Sequence, residues 1–182
     1  MSSRSAAADE PGCNPAEITP VVPRAAMRYL DPAYFTTPAD SSWIASLAGS
    51  GTMVRMTVVR EGLPAQIVPA LAEALDLSRD ELMRQLGLPR ATVERKLRTA
   101  GALGQAESER LLGVATLVAL AGRMVQESGD PAGFDAGRWT SHWLRTPAPA
   151  LGGVPPMALM DTADGRAVVH QLLTQMQSGA YA

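Results

Sequence analysis

Aromatic residues, cysteine and long apolar runs are all scarce in this 182-residue chain. Aromatics make up 4% of it, although its hydrophobic fraction of 46% is ordinary for a globular protein. The single cysteine, Cys13, has no internal partner for a disulfide, so a reducing cytoplasm fits best. No apolar run reaches the roughly 18 residues that a membrane span needs. The first residues also lack the order of a signal peptide, and we expect a soluble, cytoplasmic protein without membrane contact.

Basic residues do not dominate the chain either, since its formal net charge is −2. This value excludes a nucleic-acid-binding protein that is basic throughout, but it leaves room for a local basic patch. Alanine, leucine and arginine are abundant, and these residue types favour helix. Few segments alternate between polar and apolar residues as strands do. We therefore predict an all-α fold.

Three segments are predicted along the chain. Residues 1–40 contain six prolines and many small or polar residues, which indicates a flexible Pro-rich tail. The tail's apolar cluster, which either lies over the folded body or binds a partner, consists of Tyr29, Leu30, Tyr34 and Phe35. Residues 41–103 and 104–182 are predicted to form two helical domains, because Gly101 and Gly104 mark a break between them.

Two stretches of the first domain leave alternatives open. Residues 52–61 are rich in β-branched side chains, which permits a strand as well as a helix. Apolar residues from Leu63 to Leu75 recur at helical spacing. Pro69 lies inside that pattern, so the helix either kinks there or has Pro69 in its first turn.

A helix-turn-helix is indicated between Ser78 and Arg98. Ser78 is a good N-cap, and Glu81 three residues later completes a capping box. The first helix would end at Gly87, and Pro89 suits the start of a second helix that runs to about Arg98.

The second helix of this pair presents a basic outer face. Arginine can pair with guanine in the major groove, while lysine and threonine can hold phosphates. The candidate DNA-binding residues are Arg90, Thr92, Arg95, Lys96 and Arg98. A solvated charged face with no DNA role would have the same spacing, so the residues alone leave both interpretations open.

Further helices are predicted over residues 106–127, over 132–144, and after a cap at Thr162. Trp143, in the second of these, belongs either to the core or to a contact surface. Asp161 and Asp164 stand at a helix start, where carboxylates favour the dipole, so an acid–base pair is the weaker interpretation.

Short motifs follow one another in this second half. They are Glu107-x-Glu109-Arg110-Leu111, Trp143-Leu144, Leu151-Gly152-Gly153-x-Pro155-Pro156, Leu159-Met160-Asp161-Thr162-x-x-Gly165, Val169-x-x-x-Leu173 and Gly179-Ala180-Tyr181-Ala182. Their order and spacing resemble the toxin-binding domain of the Xre/MbcA/ParS antitoxin family. The resemblance covers about Leu63 to Ala182, helix-turn-helix included. Thr140 departs from it, since a small alanine is expected there.

The resemblance implies a helix-turn-helix domain followed by a small helical toxin-binding domain, in an antitoxin that is not an enzyme. The family's partners are commonly RES-domain toxins, which consume NAD. The antitoxin would cover the toxin's active site, and its helix-turn-helix would bind operator DNA and repress the shared operon. A homodimer within a hetero-oligomeric toxin–antitoxin complex is implied. The toxin-binding candidates are Leu151, Gly152, Gly153, Pro156, Gly179, Ala180, Tyr181 and Ala182.

The residues themselves are consistent with a binding module. Gly152, Gly153 and the Pro155–Pro156 pair predict a loop of fixed shape, and Gly165 allows a close backbone approach before the last helix. Tyr181 is predicted to plug a pocket of another protein, because its ring is apolar and its hydroxyl is polar. The alternative is that Tyr181 folds back on its own helix.

No catalytic set, metal-binding spacing or phosphate loop is found in the sequence, so we expect no metal and no cofactor. Cys13 has no partner base, and the two histidines, His142 and His170, suit packing or surface roles. Two alternatives to an antitoxin stay open. One is a plain transcriptional regulator whose second half only dimerises, and the other is a partition-type or adaptor protein with no DNA role.

Overall fold

A computed structural model describes residues 22–36 and 41–177, and apart from two isolated β-bridges the regular elements in this part are helical. The α-helices are α1 (Arg24–Leu30), α2 (Ser42–Gly49), α3 (Thr52–Glu61), α4 (Ile67–Ala74), α5 (Arg79–Gln85), α6 (Arg90–Arg98), α7 (Gln105–Ser128), α8 (Ala136–Arg145) and α9 (Ala163–Gln177). Short 3₁₀ turns lie at Pro32–Phe35, Pro149–Leu151 and Pro156–Leu159. The all-α prediction is confirmed. None of the described helices has the length and apolar character that crossing a membrane requires.

The 24-residue helix α7 is the element around which the others pack. Helices α2, α3 and α4, which precede it, and α8 and α9, which follow it, all contact it. Residues 117–121 of α7 are buried in succession, so this part of the helix is covered on every side. A single apolar core therefore runs from Ala26 to Leu173. The division at residues 103/104 stays a prediction, because this core crosses it.

The predicted flexible tail over residues 1–40 is wrong for the part that the structure describes, residues 22–36. Helix α1 packs against α3, and Tyr29 and Phe35 are buried. Edge-to-face ring contacts at 5.2–5.3 Å run from Tyr29 through Tyr34 and Phe35 to Trp43. The Tyr29 hydroxyl also donates to the Ser46 carbonyl oxygen at 2.9 Å. The free energy gained by burying these rings outweighs the tendency of the prolines to interrupt regular structure, so the cluster lies over the folded body. Residues 1–21 and 37–40 fall outside the described part.

Residues 52–61 form helix α3, so the alternative of a strand is wrong. Val58 and Val59 face the interior, and the Arg55 guanidinium donates to the carbonyl oxygens of Ala48 and Ser50 at the end of α2. Unpaired carbonyls at a helix end need such donors. Pro69 is the third residue of α4, which confirms the alternative that places it in the first turn.

Backbone hydrogen bonds between residues 63–65 and 101–103 connect the two ends of the segment that contains α4 to α6. The Leu103 amide donates to the Leu63 carbonyl oxygen at 2.8 Å, and the Ala65 amide donates to that of Gly101 at 3.1 Å. Ser108, buried in α7, accepts the Leu63 amide through Oγ at 2.9 Å. These bonds join both ends of the segment to the first turn of α7, and they set the position of the helices between them.

Thr140 in α8 is fully buried, and its Oγ1 has no hydrogen-bond partner among the described residues. Leaving such a hydroxyl unpaired costs free energy. We predict that Thr140→Val, which keeps the shape and removes the hydroxyl, raises the free energy of unfolding by about 1 kcal/mol. Chemical denaturation measured by circular dichroism tests this.

Thr116→Val in α7 is the matched control, because the Thr116 hydroxyl donates to the Leu112 carbonyl oxygen at 2.8 Å. Its effect should be neutral or destabilising. Equal stabilisation by both substitutions would contradict the explanation for Thr140.

Candidate DNA-binding and toxin-binding surfaces

The helix-turn-helix lies where the sequence predicts it, with a capped first helix. The Ser78 Oγ accepts the Glu81 amide at 3.1 Å, which confirms the N-cap. The Glu81 carboxylate makes other contacts than the predicted capping box: it accepts from Gln85 Nε2 at 3.0 Å and lies 3.8 Å from the Arg145 guanidinium of α8. The first helix is thus also linked to the carboxy-terminal half of the chain.

The turn between α5 and α6 depends on Gly87 and Leu88. Gly87 adopts a positive φ of 59°, a conformation that glycine takes without strain. The Leu88 amide then donates to the Met83 carbonyl oxygen at 2.8 Å, and the Leu88 side chain is buried. A glycine with positive φ followed by such a backbone bond is a common end of a helix. It fixes the direction in which α6 leaves α5.

The structure places all five DNA-binding candidates on α6, but it does not present them equally. Arg95 and Arg98 are exposed, while Thr92 and Lys96 flank the buried side and are only partly accessible. Arg90 lies 3.2 Å from the Asp80 carboxylate of α5, in a pair of mostly exposed side chains. Such a surface pair contributes little to stability and can open to a phosphate. The accessible basic groups therefore cluster on the outer face of α6.

The loop predicted to contact a toxin is a tight, exposed hairpin. The Ala148 amide donates to the Val154 carbonyl oxygen at 3.3 Å, and the Gly153 amide returns to that of Ala148 at 3.0 Å. Gly152 and Gly153 have φ values of 66° and 86°, and both are exposed. Leu151 beside them is half-buried. The tip is held by backbone bonds, and its glycines are accessible from outside.

Pro156, a fourth candidate on this loop, is buried against the chain's own residues. This contradicts its predicted role as a toxin contact, because a hidden ring offers no surface to a partner. The other four candidates, Gly179 to Ala182, lie outside the described residues.

Gly165 confirms the predicted close approach at the start of α9. A Cβ atom there would stand 2.0 Å from the Leu159 carbonyl oxygen. The Gly165 amide donates to Thr162 Oγ1 at 3.1 Å, which confirms Thr162 as the cap of the last helix. Glycine at this position lets α9 pack directly on the turn that carries Leu159.

The Glu109–Arg110 motif connects the turn before α6 with the region where α9 begins, a role that the sequence did not reveal. Arg110 donates through Nη1 to the Gly87 carbonyl oxygen at 2.9 Å and through Nε to that of Asp161 at 3.2 Å. Glu109 lies 3.6 Å from the Arg166 guanidinium of α9. One arginine thus contacts both the helix-turn-helix turn and the segment before α9. The signal in the sequence that could have identified this role is the motif Glu107-x-Glu109-Arg110-Leu111.

Trp143 packs against the core, and the alternative of a contact surface stays a prediction. Its ring lies nearly parallel to that of Trp139, with the two ring centroids 6.0 Å apart, and part of its surface stays accessible. His142 and His170 are exposed. Among residues 22–36 and 41–177, no group of three or more His, Cys, Asp or Glu side chains is placed to hold a metal ion.

Comparison with known proteins agrees with this division of surfaces. Residues 54–115 match the antitoxin Xre-like helix-turn-helix domain, and residues 134–179 match the antitoxin Xre/MbcA/ParS C-terminal toxin-binding domain. The chain is 44% identical over 128 residues to the "Prs ADP-ribosylating antitoxin" of Sphingobium sp. (strain YBL2), a match that covers 70% of this chain and 80% of that protein. The chain belongs to the Xre/MbcA/ParS antitoxin family.

A second member of this antitoxin family is more distant but is matched along nearly its whole length. It is "Antitoxin Xre" of Yersinia enterocolitica serotype O:8 / biotype 1B (strain NCTC 13174 / 8081), with 26% identity over 154 residues, 82% of this chain and 98% of that protein. The family is one of antitoxins and not of enzymes. The predicted antitoxin with a helix-turn-helix and a toxin-binding domain is therefore confirmed.

We predict that Gly165→Ala lowers the free energy of unfolding of this antitoxin by about 3 kcal/mol, because the added methyl collides with the Leu159 carbonyl oxygen. Thermal unfolding measures the change. Gly122→Ala in α7 is the control: its methyl would meet the Ala136 Cβ at an ordinary 3.5 Å, and better helix propensity should stabilise by about 1 kcal/mol. A tolerated alanine at position 165 would contradict the close approach.

Proposed function

We propose that this antitoxin neutralises a RES-domain toxin by covering its NAD-binding active site, and that it represses its own operon through the helix-turn-helix. The observation that carries the first part is the toxin-binding match over residues 134–179, which contains the exposed hairpin at 148–154. The term "ADP-ribosylating" in the name of the Sphingobium relative supports a toxin that consumes NAD, since NAD is the usual donor of ADP-ribose.

The shape of the hairpin supports occlusion by a preformed surface. Pro147 and Pro149 restrict the backbone on one arm, and backbone bonds connect Ala148 with Gly153 and Val154 on the other. A surface that is already ordered loses little conformational entropy on binding. The hairpin, together with residues Gly179 to Ala182, is the part that we propose to enter the toxin's cleft.

Deleting Gly179–Ala182 should weaken inhibition of the toxin while the circular dichroism spectrum and the unfolding midpoint stay unchanged. The physical reason is the loss of the Tyr181 ring, which would otherwise fill an apolar pocket. The measurement is NAD consumption by the toxin at increasing antitoxin concentration. Tyr181→Ala in the full chain should reproduce most of the effect. A truncated antitoxin that inhibits as well as the full chain would remove this role of the terminal residues.

The proposed operator binding follows from the basic face of α6. A helix-turn-helix of this kind reads paired half-sites as a dimer, so we propose that the antitoxin binds DNA as a homodimer. Arg95 and Arg98 are exposed and carry no ion pair among the described residues. They are free to approach phosphates or base edges, and Arg90 can exchange Asp80 for a phosphate.

Arg95→Ala should weaken binding to the antitoxin's own promoter and reduce the slope of log affinity against log salt by about 0.9, the value for one phosphate contact. Fluorescence anisotropy at several salt concentrations measures this. Arg123→Ala on α7, another exposed arginine, is the control and should leave the slope unchanged. A promoter affinity that does not depend on salt would exclude the DNA role.

A further inference from the structure

An apolar groove lies between the end of α8, the proline-rich hairpin and the last turn of α9. Its walls are formed by Trp143, Pro147, Pro149, Leu172 and Met176, and its volume is about 310 Å³. This is at the small end of the range for ligand pockets, and it suits one or two inserted side chains. Met176 at its edge is 37% exposed.

Three polar groups around the groove are already paired. Thr146 donates through Oγ1 to the His142 carbonyl oxygen at 2.9 Å, and its amide donates to that of Trp143 at 3.1 Å. The Ala148 amide is bonded to Val154 across the hairpin. An occupant therefore gains little from polar atoms here, and an apolar group is the chemistry that the groove accepts.

The groove is continuous with the proposed toxin-binding hairpin. Pro147, Ala148 and Pro149 form one wall of the groove and also one arm of the hairpin. All the residues that line the groove fall within 134–179, the part matched by the toxin-binding domain. A toxin seated on the hairpin tip would extend over the groove without crossing another element.

We propose that the groove receives an apolar anchor side chain, preferably aromatic, from the toxin, next to the active-site cleft that the hairpin covers. The proposal rests on the proposed toxin binding. A few aromatic anchors in dry pockets carry most of the affinity of a protein interface. The Trp143 ring and the two prolines provide flat faces against which such an anchor packs.

Met176→Lys should weaken the affinity for the purified toxin by about tenfold, as expected when a hot-spot pocket is spoiled. Val168→Lys is the matched control, since Val168 is 46% exposed on the same helix but does not line the groove. Isothermal titration calorimetry gives both affinities, and unfolding midpoints check that the variants are folded. Equal affinities for the two variants would overturn the proposal.

A second measurement reads the groove directly. The chain has three tryptophans, so 5-fluorotryptophan labelling gives few ¹⁹F resonances, and Trp143→Phe assigns the one in the groove. Unlabelled toxin should shift the Trp143 resonance and leave in place that of Trp43, which is buried in the core against Phe35. A toxin complex in which the Trp143 resonance does not move would overturn the proposal.

The remaining outcomes separate this inference from the proposed function. If the unmodified antitoxin does not bind the toxin at all, the proposed function fails. If it binds but Met176→Lys binds as tightly, only the groove fails. A change in the mass of the free antitoxin with Met176→Lys, measured by light scattering, would assign the groove to a second copy of the chain. A shift of the Trp143 resonance when residues 179–182 are deleted would assign the groove to these residues of the same chain. Either this shift or the change in mass would overturn the toxin as the occupant of the groove.

Discussion

Burial of the middle of α7 on all sides is the constraint on which the rest of the structure depends. Residues 117–121 are enclosed in succession, and this requires helices from before and after α7 to pack on it together. Neither group alone would remove that apolar surface from water, which is the main favourable contribution to folding. The DNA-binding and toxin-binding parts therefore share one core instead of being joined by a free linker.

Polar contacts then orient the two surfaces around this shared helix. Arg110 holds the carbonyl oxygens of Gly87 and Asp161, and Glu81 of α5 lies near Arg145 of α8. Bonds between a charged donor and backbone carbonyls are stronger than neutral ones. They fix the turn before α6 relative to the segment that precedes α9. The faces proposed to bind the operator and the toxin are thus surfaces of one body, whose relative position does not depend on a flexible segment.

Local signals predicted many of the elements because capping and turn formation involve only neighbouring residues. Ser78 and Thr162 cap their helices, and α6 has the predicted bounds. The start of α8 was predicted less accurately. It begins at Ala136 and not near residue 132, because Gly133 has a φ of 74° and the Asp135 carboxylate caps the Arg138 amide at 3.0 Å. Residues 22–36 were assigned to a flexible tail because the partners of their rings lie in α2 and α3, which local composition does not report.

By itself, the sequence determined the helical class, the helix-turn-helix and the motifs that identify the antitoxin family, since periodicity, caps and spacing are properties of contiguous residues. The tertiary structure decided which motif residues are accessible. It buries Pro156, exposes Gly152 and forms a groove from Pro149 and Met176, which lie on separate elements. Burial depends on which distant segments meet, and that meeting is settled by the packing of the whole chain around α7 and not by any local pattern.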